Sequence, residues 1–175
     1  MRRTTALLAT FALLLGACSS PASRDGMTPQ EMSLSRQHPH SVQVMTQGGT
    51  ETGALDTTNI SDADLKGAIE DSIARNKLFR TVIQGKGADY ELTVRVAGLS
   101  KPVIGASLQV ELETGWTLVR TSDRAVLLRK PIKSSATKTM GDAFAFVTRL
   151  RMAIEAATQD NIAQGLKAIA ELKLE

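Results

Sequence analysis

Tyr90-Glu91-Leu92-Thr93-Val94-Arg95-Val96 decides the fold of this chain. Apolar residues take every second position and polar residues the positions between, which is the pattern of a strand with one face buried and one in water. The alternation returns in Leu108-Gln109-Val110-Glu111-Leu112-Glu113 and runs on through Trp116 and Leu118. Ser100-Lys101-Pro102 separates the two runs. Thr121-Ser122-Asp123-Arg124 is a hairpin turn that leads into a last strand over Ala125 to Thr137. Pro131 has no N–H for a ladder, so that strand belongs at a sheet edge or is bulged there.

Upstream, Ser41-Val42-Gln43-Val44-Met45-Thr46 alternates in the same way, and Gln47 to Thr58, with Gly48, Gly49 and Gly53, reads as a loop. Ser61 with Asp64 three residues on is a helix start of the capping-box kind, and Asp62 and Asp64 place negative charge at the positive end of the helix. Leu65, Ile69 and Ile73 recur every four residues with Ala68 on the same face, and the helix should end near Asn76. Phe79 to Ile83 reads as a strand and Gly85-Lys86-Gly87 as a turn. Downstream, a long amphipathic helix should run from Gly141 or Asp142 to about Leu172. Its stripe is Val147, Leu150, Ile154, Ala157, Ile162, Leu166 and Ile169, with Arg149, Arg151 and Glu155 largely off it. Gly165 costs about 1 kcal/mol relative to Ala in such a helix, so it should mark a bend or a close approach to the sheet.

The element order is β-α-β-β-β-β-α. One-sided strands need a cover and amphipathic helices supply it, so the expected fold class is α+β: a two-layer sandwich with a mostly antiparallel sheet of four to five strands and two helices on one face. A single domain is expected over residues 41–175, and there is no internal repeat.

The first residues follow other rules. Met1-Arg2-Arg3-Thr4-Thr5 is a basic segment, and Ala6 to Leu15 is an apolar run of 10 residues. A membrane-spanning helix needs about 20, so the run suits the core of a secretory signal over residues 1–17. Arg2-Arg3 is also compatible with a twin-arginine signal, though an ordinary basic segment needs no more than these two charges. Leu15-Gly16-Ala17-Cys18 resembles the lipobox of bacterial lipoproteins. That resemblance implies cleavage before Cys18, a diacylglycerol thioether on its sulfur and acylation, palmitate included, of its amine. Ser19 in place of an Asp implies the outer membrane in the proteobacterial members. Residues 18–40, rich in Ser, Pro, Gln and Arg, read as a lipidated flexible tether facing the periplasm.

Processing alters the charge. The chain carries 21 Lys plus Arg and 18 Asp plus Glu, a formal charge of +3. Loss of residues 1–17 removes Arg2, Arg3 and no acid, leaving +1, which is a poor basis for nucleic-acid binding. Cys18 is the one cysteine, so with its sulfur acylated none remains for a disulfide and the domain rests on its core.

Candidate chemistry is sparse. His38 and His40 lie in the expected tether, with no Cys, Asp or Glu cluster beside them to complete a metal site, and they offer no base for a Ser-His-Asp hydrolase. Glu111 and Glu113, two apart on one strand, stand roughly 6–7 Å apart, a separation compatible with acid/base work and equally with a solvated sheet face. Gly48-Gly49-Thr50 and Gly85-Lys86-Gly87 lack the spacing of a phosphate loop. No catalytic residue, cofactor or metal ligand is therefore assigned. The candidate partner contacts are Trp116, if it faces outward, and Val103 with Ile104. The loop holding the latter two could touch lipid or another protein, or be the turn of a long hairpin.

The whole, with Gly141-Asp142-Ala143-Phe144, Arg149-Leu150-Arg151-Met152-Ala153 and Asn161-Ile162-Ala163 in the last helix, resembles small proteobacterial envelope lipoproteins. These include the lipopolysaccharide-assembly lipoprotein, auxiliary lipoproteins of Mce-type lipid transporters, and lipoproteins with a fold like the amino-terminal domain of TolB. The resemblance implies a non-enzymatic, membrane-anchored subunit or adaptor of an envelope machine, with an envelope protein as partner. A carrier holding a lipid or glycolipid between sheet and helices is the alternative, followed by an enzyme on envelope polymers using Glu111 and Glu113.

Overall fold

A computed structural model describes residues 21–53 and 58–175. The elements are α1 (Arg24–Met27), β1 (His38–Gln47), α2 (Asp62–Arg75), β2 (Phe79–Val82), β3 (Tyr90–Ser100), β4 (Ser107–Arg120), β5 (Val126–Thr139) and α3 (Phe146–Ala170). The five strands form one sheet in the order β2-β1-β3-β4-β5, with the helices on one face. The α+β sandwich read from the alternation is what the chain builds.

The sheet is mixed. β3, β4 and β5 form an antiparallel meander, whereas β1 lies parallel to both neighbours. The reason lies in the connections. Helix α2 carries the chain back between β1 and β2, which makes that pair parallel. The short β2 then stops opposite Val42, and β3 starts opposite the same residue on the other side of β1. The link between them turns at Gly85 and Gly87, both at positive φ (86° and 105°), where a side chain would be strained. Asp89 pins the crossing: its carboxylate accepts from the Ser41 N–H and hydroxyl, both at 2.7 Å. Those two donors hold its pKa below the ordinary carboxylate value.

The core lies between sheet and helices. Val42, Val44, Leu92, Val94, Leu108, Val110, Leu112 and Leu118 point into it from the strands, and Leu65, Ile69, Ile73, Leu150, Ile154, Ile162 and Ile169 meet them from α2 and α3. Ser61 caps α2 as its spacing predicts. Its Oγ accepts from the Asp64 N–H at 3.0 Å and donates to the Asp64 carboxylate at 2.7 Å. β5 is the edge strand that Pro131 requires.

Two boundaries move. Helix α3 begins at Phe146, later than Gly141 or Asp142, because the Asp142 carboxylate is engaged in closing the turn after β5. It accepts from the Thr139 N–H (2.8 Å) and hydroxyl (3.1 Å). Among the described residues, packing also begins at Ala22, well ahead of Ser41. The stretch expected to be a tether packs in the helix layer: Ala22 and Met27 are wholly buried, α1 sits against both long helices, and the chain reaches β1 along their C-terminal halves. Ser23 donates through its N–H (3.0 Å) and hydroxyl (2.8 Å) to Glu155. Arg24 pairs with Asp71, Gln159 donates to the Gly26 carbonyl at 2.7 Å, and the Met32 N–H donates to Asn76 at 2.8 Å. A side chain at Gly26 would run into the Glu155 carboxylate. The low apolar content of this strap is offset by bonds to polar side chains on α2 and α3. The proposed signal segment and Cys18 lie outside the described residues.

Candidate functional site

Trp116 is not a surface anchor. It is fully buried, with its ring against α3 at Gly165, where an added Cβ would come within 2.5 Å of three ring carbons. Gly165 therefore marks a close approach of helix to sheet, which accounts for a poor helix former in the middle of α3. The indole N–H donates to Thr114 Oγ1 (2.9 Å) and Asn161 Oδ1 (3.2 Å), while Thr114 donates to the same Asn161 oxygen at 2.6 Å. The Asn161 amide in turn donates to the Ile132 carbonyl and Ser134 Oγ. A buried polar group is costly unless paired, and this network pairs all of them. Asn161 thus ties α3 to β4 and β5.

The histidines also lie elsewhere than expected. His38 opens β1 and is 3% exposed. Its Nε2 stands 3.1 Å from the Ile169 carbonyl, which only accepts, so Nε2 carries the proton. Its ring packs on Phe79, and that of His40 meets Tyr90 edge-on. Burial lowers the His38 pKa, helped by Arg36 and His40, against the pull of the Ile169 carbonyl. Glu111 and Glu113 face the open side of the sheet. Glu113 pairs with the exposed Lys133 at 3.2 Å, and Glu111 accepts from Gln109 at 3.3 Å. They border a cleft of about 710 Å³ with Gly98, Ser100, Ser135 and, from α3, Asp160. Surface partners at the rim of a wide cleft describe a solvated sheet face.

Val103 and Ile104 are the candidates that remain on the surface, 83% and 77% exposed. They occupy the β3–β4 turn, and a second loop, between β5 and α3, brings Phe144 to the same end of the sheet at 86% exposure, with Met140 and Val147 half exposed beside it. Arg149 joins the two loops. Contrary to its expected place off the stripe, it is 4% exposed. Its guanidinium donates to the carbonyls of Ala143 (3.0 Å) and Phe144 (2.6 Å) on one side and of Gly105 (3.1 Å) on the other. One buried cation thus holds two apolar loops in register. The first turn of α3 carries no side-chain cap, and Arg149 supplies the order that a cap would give.

Sequence reading missed Phe144 and Arg149 as members of this tip. The signal was the uncharged run Ala143-Phe144-Ala145-Phe146-Val147, too apolar for a loop unless it meets something. Among the described residues, no group of three or more His, Cys, Asp or Glu could hold a metal ion, and no helix is long and apolar enough to cross a membrane.

No protein-family model and no curated protein sequence matches this chain. Its backbone is similar to that of a Xanthomonas campestris protein of the DUF330 family (TM-score 0.57, 11% identity, 81% of this chain and 89% of that one). It is similar also to a hypothetical protein of Chlamydia trachomatis (TM-score 0.59, 6% identity, 75% and 96%). A candidate lipoprotein of Caulobacter crescentus gives a TM-score of 0.50 at 15% identity over 74% of this chain and 87% of that one. At such identities the likeness is one of fold.

Proposed function

We propose that this protein is a lipid-anchored, non-enzymatic subunit or adaptor of an assembly or transport complex in the bacterial envelope. Cys18 carries the lipid, the membrane is the outer membrane, and the domain faces the periplasm. The observation that carries the reading is the lipobox-like Leu15-Gly16-Ala17-Cys18 set four residues ahead of a packed domain. The fold shared with a candidate lipoprotein of Caulobacter crescentus is in keeping with it. The side chains best suited to acid–base work are engaged structurally, His38 with the Ile169 carbonyl, Asp89 with Ser41 and Glu113 with Lys133. What is left for a partner is the open polar face of the sheet and the edge strand β5, whose outer backbone groups have no neighbour in the sheet.

The carrier reading has less to stand on. An acyl chain between sheet and helices would have to displace Trp116, Leu118, Ile162 and Leu166, each at most 1% exposed. Crosslinking in the native envelope followed by affinity purification tests the proposal: a reproducible envelope-protein partner is expected, and recovery of the protein only as a monomer would refute the adaptor role. Co-purified lipid beyond the Cys18 anchor would favour the carrier.

A further inference from the structure

We propose that the loop end bearing Val103, Ile104 and Phe144 is a membrane-docking tip that seats in the interfacial layer of the bilayer to which Cys18 is attached. The inference rests on the lipoprotein reading above and adds an orientation to it. A contiguous exposed apolar patch marks a protein or membrane contact, and here the length of the leash decides between them. Among the described residues the packed chain starts at Ala22, whose N–H donates to the Asn59 carbonyl at 3.2 Å. The Asn59 side chain accepts from Lys101, which also donates to the Thr58 carbonyl at 2.9 Å. Lys101 opens the loop that carries Val103 and Ile104. The domain thus begins on the flank of the tip.

From Ala22 back to Cys18 is four residues, which reach about 14 Å at full extension. Strand β4, with 14 residues, is longer than about 40 Å at the usual rise per residue. The lipid on Cys18 can therefore enter the bilayer near the 101 end and not near the far end of the sheet. A domain held so closely at one end presents that end to the headgroups. The residues it presents there suit the interface: the loop from Pro102 to Ser107 has no charge, nor has the run from Ala143 to Val147. Apolar side chains entering the headgroup and acyl boundary gain from burial and make a one-point lipid anchor a two-point one. Arg149 keeps both loops together, so their side chains enter as a unit and not as independent, mobile segments.

The test uses the full lipidated protein in phosphatidylethanolamine/phosphatidylglycerol vesicles, with a polarity-sensitive thiol dye at Val103→Cys or Phe144→Cys and a control at Lys133→Cys. In the mature protein the Cys18 sulfur is blocked, so unmodified protein takes up no dye. The expected result is a blue-shifted emission at positions 103 and 144, quenched by nitroxide lipids, with solvent-like emission at 133. Adding Val103→Asp and Ile104→Asp to the Phe144→Cys protein should abolish that quenching and leave the protein on the vesicle. Water-like emission at 103 and 144 from protein whose intact mass includes the lipid would overturn the tip alone. Dye uptake by the unmodified protein, with no lipid in its mass, would overturn the lipoprotein reading and the tip with it. A blue shift that persists in mild detergent and grows with protein concentration would assign the patch to a second copy of the chain and overturn the bilayer as its occupant.

Discussion

Residues 22–37 and the loop tip invert each other. The first stretch is polar, rich in Ser, Gln and Arg, and it packs. The second is apolar, holding Val103, Ile104 and Phe144, and it faces out. Composition alone would assign them the other way round. The strap is held because a few of its residues are placed where they count: Ala22 and Met27 fill the helix layer, and Ser23, Arg24 and Met32 meet Glu155, Asp71 and Asn76. The tip stays exposed because the loops that carry it turn away from the core and are tied to each other through Arg149. The difference teaches that a segment folds by what its partners offer, and that exposure of an apolar segment points to a surface beyond the chain.

Substitutions at four places probe that contrast. The largest effect is expected in the strap. Met27→Ala removes a wholly buried side chain and should destabilise the domain by about 2–5 kcal/mol, measured by urea unfolding; a change no larger than at a surface site would restore the flexible tether. Next is Arg149→Met, which keeps the stem but leaves three loop carbonyls without their donor. It should cost about 1–3 kcal/mol and speed proteolysis at 101–106 and 140–145, whereas unaltered loops would remove Arg149 from its bridging role.

His38 gives a smaller effect with a definite sign. Its folded pKa lies below the ordinary value of about 6.5, so the unfolded chain binds the proton more readily. Its neutral form supports the fold fully above that ordinary value, and stability is lost as pH falls from there toward the folded pKa. Thermal melts between pH 7.5 and 5, above the range of most carboxylates, read this group when compared with a variant that lacks it. His38→Gln, which can still donate to the Ile169 carbonyl, should flatten the slope; an unchanged slope would assign it elsewhere. The smallest effect belongs to the tip. Val103→Ser, Ile104→Ser and Phe144→Ser should each change stability by no more than about 0.5 kcal/mol, and a larger loss by calorimetry would make these residues part of the core.

Much of the fold was legible because alternation is a local signal. Leu92, Val94, Leu108 and Val110 reveal their strands by period alone, Ser61 and Asp64 reveal the start of α2, and Pro131 reveals the edge. What stayed hidden depends on contacts distant in sequence. The parallel placement of β1 follows from how the chain passes from β2 to β3. The burial of His38 depends on the far end of α3, 131 residues away. Arg149 and Asn161 read as polar positions on a helix, yet each is buried on bonds to segments that no helical period can show. The candidate site divides in the same way: Val103 and Ile104 were visible as an apolar loop, while Phe144 joins them only through the tertiary fold.

The central claim is that packing already holds the chain at Ala22, four residues after the proposed anchor Cys18. Amide hydrogen exchange on the full-length protein tests it most directly. The N–H groups of Ala22, Met27, Met32 and His38, bonded to Asn59, Ser23, Asn76 and Leu78, should be protected to the level of the amides of α2. Exchange of all four at the rate of an unstructured peptide, with α2 still protected, would contradict the claim and return this stretch to a tether.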